Sequence, residues 1–355
     1  MPKDLEAMLS CPVPLSHGDL IQLAHGGGGR LTAQLIEKCF VPTFRNPYLA
    51  ALGDGAVIPL NGSPEGERLA FTTDTFVVHP IFFPGGDIGS LSIYGTANDL
   101  AMCGAEPLCF SSALVLEEGF PLRDLERIVR SMGEACTRLR APLVTGDTKV
   151  VDRGKGDGVF INTSGIGRVR RGVQVGANQA LPGDAVLISG PVGDHGIAIM
   201  AAREGFEFES ELVSDSAPVA DLVQALLQAV PQTHVLRDPT RGGLATALAE
   251  IASASQVGIR LEEEAIPIRE EVRGACELLG FDPLYVACEG RFLAIVPGES
   301  AGRALAAIRS QPDGRAAQRI GTVSAEDPSR LVLRTAIGSQ RLLEKLSGEQ
   351  LPRIC

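Results

Sequence analysis

The sequence predicts a layered α/β protein built as two domains. Three observations support this. At 355 residues the chain exceeds what one typical core accommodates. Stretches with helical and strand periods alternate in both halves, which excludes a helical bundle and a β-sandwich. Between the halves, near residues 171–181, a turn-rich stretch interrupts the pattern.

The elements follow in order. Residues before Ser16 read as a loose arm. "LTAQLIEKCFVPTF" has an apolar helical period that Pro42 ends. "RLAFTTDTFVV" is rich in β-branched residues and predicts a strand near Thr72–Val78. "DIGSLSIYGTANDLAMCG" predicts a helix with small residues on one face, "LCFSSALVLEE" a strand, and "PLRDLERIVRSMGEACTRL" an amphipathic helix. "APLVTGDTKVV" and "DGVFINTSGIGRV" predict two further strands. Past the turn at Pro182-Gly183-Asp184 come the strand "AVLISG", helices around "HGIAIMAARE", "VADLVQALLQAV", "GGLATALAEIASAS", "EVRGACELLG" and "AGRALAAIRS", and the strands "FLAIVP" and "QRIGTVS". The last segment predicts a short polar helix, "SQRLLEKLSGE", broken by Gly348, then an extended tip, "QLPRIC". The divisions are therefore an arm (1–15), an N-terminal domain (16–172), a C-terminal domain (173–335) and a tail (336–355).

Composition narrows the class. The net charge of −11, with no basic stripe, argues against nucleic-acid binding. No apolar run reaches membrane-spanning length, and "MPKDLEAMLS" is too polar for a signal peptide. The 8 cysteines form no C-x-x-C pair, which suits a cytoplasmic protein with buried thiols. Cys39 and Cys136 are expected in the core. Cys288, with no base signalled beside it, is expected to fill a core or loop.

Several stretches could carry chemistry. Gly26, Gly27, Gly28 and Gly29 in "AHGGGGRL" expose backbone N–H groups before a helix. That combination can cradle an anion or act as a lid, although it is not a P-loop. Asp54, Asp74, Asp99 and Asp147 lie in small-residue or strand contexts where an unpaired carboxylate is costly. Together, with Asn98 and Lys149 nearby, they predict a shared Mg²⁺ site under phosphates. Taken singly, each could equally be a cap or turn residue. Lys149, two residues after Asp147, shares its strand face and could neutralise phosphate or form a plain edge pair. His195 lies between glycines after a strand. Arg237, Asp238 and Arg241 precede a helix beginning near Gly242 or Gly243, where an oxyanion is favoured. Glu289 and Arg291 enter a strand. His17, His79 and His234 have no metal spacing. Cys355 ends the chain. It is either a chance surface thiol or a thiol on a tether that carries something to a site.

"AHGGGGRL", "LGDGAVI", "TTDTFVV", "GTANDLAMCGAEP", "VTGDTKVV", "GDHGIAI", "RDPTRGGLATALAEIA", "ACEGR" and the final "PRIC" resemble the HypE family of hydrogenase maturation proteins from about residue 16 to the end. Many of these motifs also mark the wider superfamily of aminoimidazole ribonucleotide synthetase, thiamine-monophosphate kinase and selenophosphate synthetase. "PRIC" and "TANDLAMCGA" select the branch. The resemblance implies the aminoimidazole ribonucleotide synthetase-like fold, with N-terminal domains that bind ATP and pair in a homodimer around a β-barrel-like core. It implies that Cys355 receives a carbamoyl group from a HypF-like carbamoyltransferase. ATP with Mg²⁺ then drives its dehydration to a thiocyanate, and the cyano group passes to iron on a HypC–HypD-like complex. By the same resemblance Asp54, Asp74, Asp99 and Asp147 match the nucleotide and Mg²⁺ region. Lys149 matches a lysine near the thiocarbamate, and Glu289 matches a glutamate expected to act as base. Asn98, His195, Arg237 and Asp238 are expected site residues. The competing readings are another ATP-dependent kinase or synthetase of the superfamily, and a noncatalytic maturation scaffold.

Overall fold

The computed structural model describes residues 20–60, 66–205, 212–346, 351 and 353–355; the arm before Ser16 and His17 lie outside them. The chain enters through two short helices, α1 (Arg30–Leu35) and α2 (Val41–Thr43), joined by a π-helical turn. The strands of the first half are β1 (Ala56–Pro59), β2 (Arg68–Phe76), a small hairpin of β3 (Phe82–Phe83) and β4 (Gly86–Asp87), β5 (Ala105–Glu117), β6 (Leu143–Val151) and β7 (Val159–Val169). Its longer helices are α3 (Ile88–Met102) and α4 (Leu122–Leu139). The main sheet has the order β1-β2-β7-β5-β6; β5 and β6 run parallel and the other pairs antiparallel.

Period-two alternation sorts β2. Ala70, Thr72 and Phe76 are buried against α3, while Phe71, Thr73 and Thr75 stay exposed on the outer face. Asp87 caps α3 by accepting from the N–H groups of Gly89 (2.8 Å) and Ser90 (3.0 Å). The small-residue face foreseen in α3 has a use. A Cβ at Gly95 would stand 2.8 Å from the Phe76 ring, so glycine lets helix and sheet approach. The amphipathic α4 buries Ile128, Met132, Ala135, Cys136 and Leu139.

The second half contains β8 (Ala185–Ile188), α5 (Asp194–Glu204), α6 (Ala220–Ala229), β9 (Val235–Arg237), α7 (Gly243–Ser255), β10 (Gly258–Glu262), α8 (Glu270–Leu279), β11 (Leu293–Val296), α9 (Ala301–Arg309), β12 (Gln318–Ser324), β13 (Leu331–Arg334) and β14 (Gln340–Leu343). Its sheet has the order β14-β13-β10-β12-β8-β11-β9. Every residue of β8 and β11 is buried, as their unbroken apolar runs require. Val186, Ile188, Leu293 and Ile295 join a core with Leu244, Leu248 and Ile251 of α7. Ala185, Leu187, Ala294 and Val296 join another with Leu222 and Leu226 of α6 and Ile308 of α9; it continues into α3 and unites the two halves.

Three expectations are corrected. The fold is mixed α/β, but both sheets are open: β1 and β6 end one, β14 and β9 the other, so no β-barrel core closes. Cys39 is exposed, because the turn that carries it buries none of its residues. "SQRLLEKLSGE" does not begin a helix. Gln340–Leu343 pair antiparallel with β13 through a turn at Gly338 (φ +83°), since the edge of that sheet offers backbone partners that a short polar helix lacks. Among the described residues, no helix is long and apolar enough to cross a membrane.

Candidate active site

Two chemically different places adjoin at the seam between the halves. The first is acidic. Asp54 precedes β1, Asp99 lies on α3, and Asp238 follows β9; their carboxylate oxygens lie within 4.8 Å of one another. Arg237 pairs with Asp54 (2.8 Å) and Glu250 (3.1 Å). Thr72 Oγ1 approaches both the Asp99 carboxylate (2.8 Å) and the Asp54 carbonyl (2.8 Å). One guanidinium does not balance three crowded carboxylates, Asp238 buried and Asp54 and Asp99 half-buried. Burial, then Asp238, Asp54 and Asp74, push Asp99 well above the usual carboxylate range. Burial, then Asp54, push Asp238 up to about 7 against the pull of Arg237. Burial also raises Asp54. Such a surplus of crowded carboxylate is relieved by protons or by a hard divalent cation with oxygen ligands.

The second place holds the tail. Leu351, Ile354 and Cys355 are buried, Cys355 at 8% exposure, so the terminal thiol rests inside the protein. A chamber of about 50 Å³ beside it is lined by Gly26, Gly27, Val77, Arg241, Tyr285 and Leu351, among others. That is far below the several hundred Å³ of a nucleotide-sized pocket. Burial is the main cause that raises the thiol's pKa; Arg241 opposes it, while Glu289 and Asp74 reinforce it, and the thiol hydrogen-bonds the Glu289 carboxyl. Glu289 is 4% exposed, and its Oε1 has no hydrogen-bond partner. Burial, then Asp238, Asp74 and Asp215, push it well above the usual range, and Arg241 opposes them.

The backbone at Glu289 is held from two sides. Asn98 of α3 donates to the carbonyls of Glu289 (3.2 Å) and Ala217 (3.1 Å) and accepts from Val219 N (2.9 Å). The Glu289 N–H donates to Asp215 (3.0 Å). Gly290 is required here, because a Cβ would overlap the Asp215 carbonyl oxygen. Asn98 therefore ties the halves together behind Glu289.

The remaining expected site residues fall as follows. Gly26 and Gly27 form a wall of the Cys355 chamber. Gly28 (φ +75°) packs on Arg241, where a Cβ would meet the arginine Cβ at 2.8 Å. Its N–H is taken by Thr32 Oγ1 (3.0 Å), and that of Arg30 by the Leu346 carbonyl (3.0 Å). In this state the loop is a cover, with Gly29 leading into α1. Asp74 lies between the two places, 4.0 Å from Arg241. Asp147 and Lys149 pair with each other at 2.9 Å and are 64% and 70% exposed. Register explains the separation: Asp74 aligns across the sheet with Thr163, Ser112 and Gly146, whereas Asp147 aligns with Ala113, Asn162 and Thr75. One residue's offset puts Asp147 and Lys149 on the outer face, and Asp238 joins Asp54 and Asp99 instead. His195 is fully buried and bonds Ser214 and the tail. Cys288 is buried, its thiol pushed well up chiefly by burial, as a filler residue should be. Sequence reasoning did not single out Asp215, Ser214, Thr72 or Arg203. Only the polar run "VSDSAP" carried a signal for two of them.

Residues 52–169 match the family described as AIR synthase related protein, N-terminal domain, and residues 182–334 its C-terminal domain. Fold and site thus define an AIR synthase related protein. "Carbamoyl dehydratase HypE" of Cupriavidus necator is 53% identical over 335 residues, 94% of this chain and 95% of that one. The crystal structure of a HypE–HypF complex is similar with a TM-score of 0.83 at 44% identity, covering 88% of this chain and 99% of that one. That of HypE in complex with ATP has a TM-score of 0.79 at 48% identity, covering 95% and 100%. The chain belongs to the HypE family.

Proposed function

We propose that Cys355 is the carrier on which this ATP-using carbamoyl dehydratase acts, converting an S-carbamoyl group to the thiocyanate that supplies cyanide to hydrogenase iron. The observation that carries the assignment is the buried terminal thiol against Glu289 and Arg241. The carbonyl oxygen of the thiocarbamate takes the terminal phosphoryl group of ATP as one N–H proton leaves. The C–O bond then breaks with loss of phosphate and the second N–H proton, leaving S–C≡N. Glu289, once it has given up its own proton, receives a nitrogen proton, and its raised carboxylate pKa makes the ionised form a stronger base. Arg241 faces the charge that develops at the oxygen. The burial of Cys355, at 8% exposure, limits the access of water to the activated carbon.

Asp54, Asp99 and Asp238 would hold Mg²⁺, with Asp74 adjacent; the surplus of crowded carboxylate supports this set. The ion would supply charge neutralisation for the triphosphate. Cation binding must expel the protons that these carboxylates share. Mg²⁺ affinity should therefore rise with pH through about 7, the value of Asp238. Calorimetry in buffers of different ionisation heat should detect proton release on Mg²⁺ binding at pH 7 and less of it in Asp238→Asn. Equal release in both proteins would remove Asp238 from the set.

A HypF-like carbamoyltransferase loads the tail in this reading, and a HypC–HypD-like complex unloads it. A second copy of the chain completes the assembly; the exposed Phe71 (43%) and Ile166 (37%) on the outer sheet face support that pairing. The direct test follows the C-terminal peptide by mass spectrometry during incubation with the carbamoyltransferase, its substrates and Mg-ATP. A carbamoyl adduct on Cys355 that then loses one water is expected. An unmodified tail, with the transferase active on a control, refutes the carrier.

A further inference from the structure

The tail lies beside residues 77–79. Val77 N–H donates to the terminal carboxylate of Cys355 (3.1 Å), and His79 N–H donates to the Arg353 carbonyl (3.0 Å). Arg353 itself takes a left-handed backbone conformation (φ +58°). The Ile354 carbonyl points toward α5, where His195 Nε2 stands 2.6 Å from it.

The polarity of that contact is fixed by its surroundings. A carbonyl only accepts, so Nε2 carries the hydrogen. Nδ1 then accepts from Ser214 Oγ (2.7 Å), and Ser214 Oγ accepts from Ser216 N–H (3.0 Å). The chain of bonds thus specifies one neutral tautomer. Phe83 packs edge-on against the imidazole at 5.7 Å. Two turns later on the same helix, Arg203 donates to the Arg353 carbonyl (2.9 Å) and to that of His79 (2.8 Å). Between them, Gly196 leaves room for Leu351, since a Cβ there would meet the leucine Cδ1 at 3.1 Å. "GDHG" therefore receives the tail, and every polar atom of the His195 ring is already engaged by protein.

We infer that His195, oriented by Ser214, is a positioning residue for the carrier tail and not a nucleotide ligand: it reads the Ile354 carbonyl and so sets the height of the Cys355 thiol beside Glu289. This rests on Cys355 being the carrier, but the seating of the tail can be measured apart from that. Without the imidazole, a buried carbonyl has no donor and the seated tail is disfavoured.

The test uses full-length protein with its thiol free. Alkylation of Cys355 by N-ethylmaleimide, followed on the C-terminal peptide, should be at least about tenfold faster in His195→Ala than in the parent. Ser214→Ala, which releases the tautomer, should be faster by a smaller factor, and His195→Gln, which keeps a donor of similar reach, should recover part of the protection. Binding of a fluorescent ATP analogue should stay within twofold in all three. In protein S-carbamoylated beforehand with cyanate, single-turnover dehydration at saturating ATP should fall at least tenfold in His195→Ala and partly recover in His195→Gln. Unchanged alkylation, or loss of ATP-analogue binding by the factor seen in turnover, overturns the inference. Should His195→Ala fail to fold, Ser214→Ala decides by the same readings. If the carrier reading alone is wrong, alkylation still responds while the cyanate-treated parent forms no thiocyanate.

Discussion

Cys355→Ala yields no thiocyanate, to the detection limit, and remains folded. The side chain is the only covalent attachment point in the proposed reaction, so no residual route is left. Removing the Sγ should cost about 1 kcal/mol or less of fold stability, because Val77 and His79 bond the tail through its backbone. Thermal unfolding and the mass of the C-terminal peptide check the two halves of this expectation. Thiocyanate from the variant would sink the carrier assignment. A collapse in melting temperature would mean that the thiol also holds the halves together.

Glu289→Gln should lower the dehydration rate by about 10²–10⁴ while making the protein more stable at pH 7–8. The two effects have one origin. Burial and the carboxylates of Asp238, Asp74 and Asp215 raise the Glu289 pKa far above the ordinary value. The native state therefore holds this proton to higher pH than the unfolded chain, which releases it above about pH 4.5. The stability this proton contributes is full below that pH and declines as pH rises toward the native pKa. A neutral amide removes the decline, so the gap in melting temperature between variant and parent should widen from pH 5 to pH 8. A gap constant with pH would show that Glu289 is not held protonated. Undiminished turnover would show that it is not the base.

Much of the site could be read from residue types in context. Asp54 and Asp99 stood out as carboxylates amid small residues and Cys355 by ending the chain, whereas Glu289 was singled out as a base only through the family resemblance. Register was the limit. Asp147 resembles Asp74 in its local sequence, yet an offset of one residue sends it to the opposite face of the sheet, which only strand pairing decides. Asp238 looked like part of an oxyanion site until the fold brought it to Asp99. "SQRLLEKLSGE" has leucines at helical spacing, and the free edge of β13 overrode that local preference. The tail seat joins His195, Ser214 and Ile354, which are 159 residues apart at the widest; nothing local to any of them signals the others. The barrel expected from family likeness is a property that a single chain with two open sheets does not have.

The buried tail has a kinetic corollary for the loading partner. A transferase can meet the thiol only in the fraction of molecules whose tail has swung out. Its apparent Kd is its intrinsic Kd divided by that fraction; at roughly one molecule in a hundred open, it weakens about a hundredfold. Every bond that improves the seat therefore slows charging. The depth of the well thus trades holding cargo during chemistry against surrendering an empty thiol between cycles. An optimum of this kind predicts that variants with a tighter seat are poorer in the complete pathway although faster in isolation.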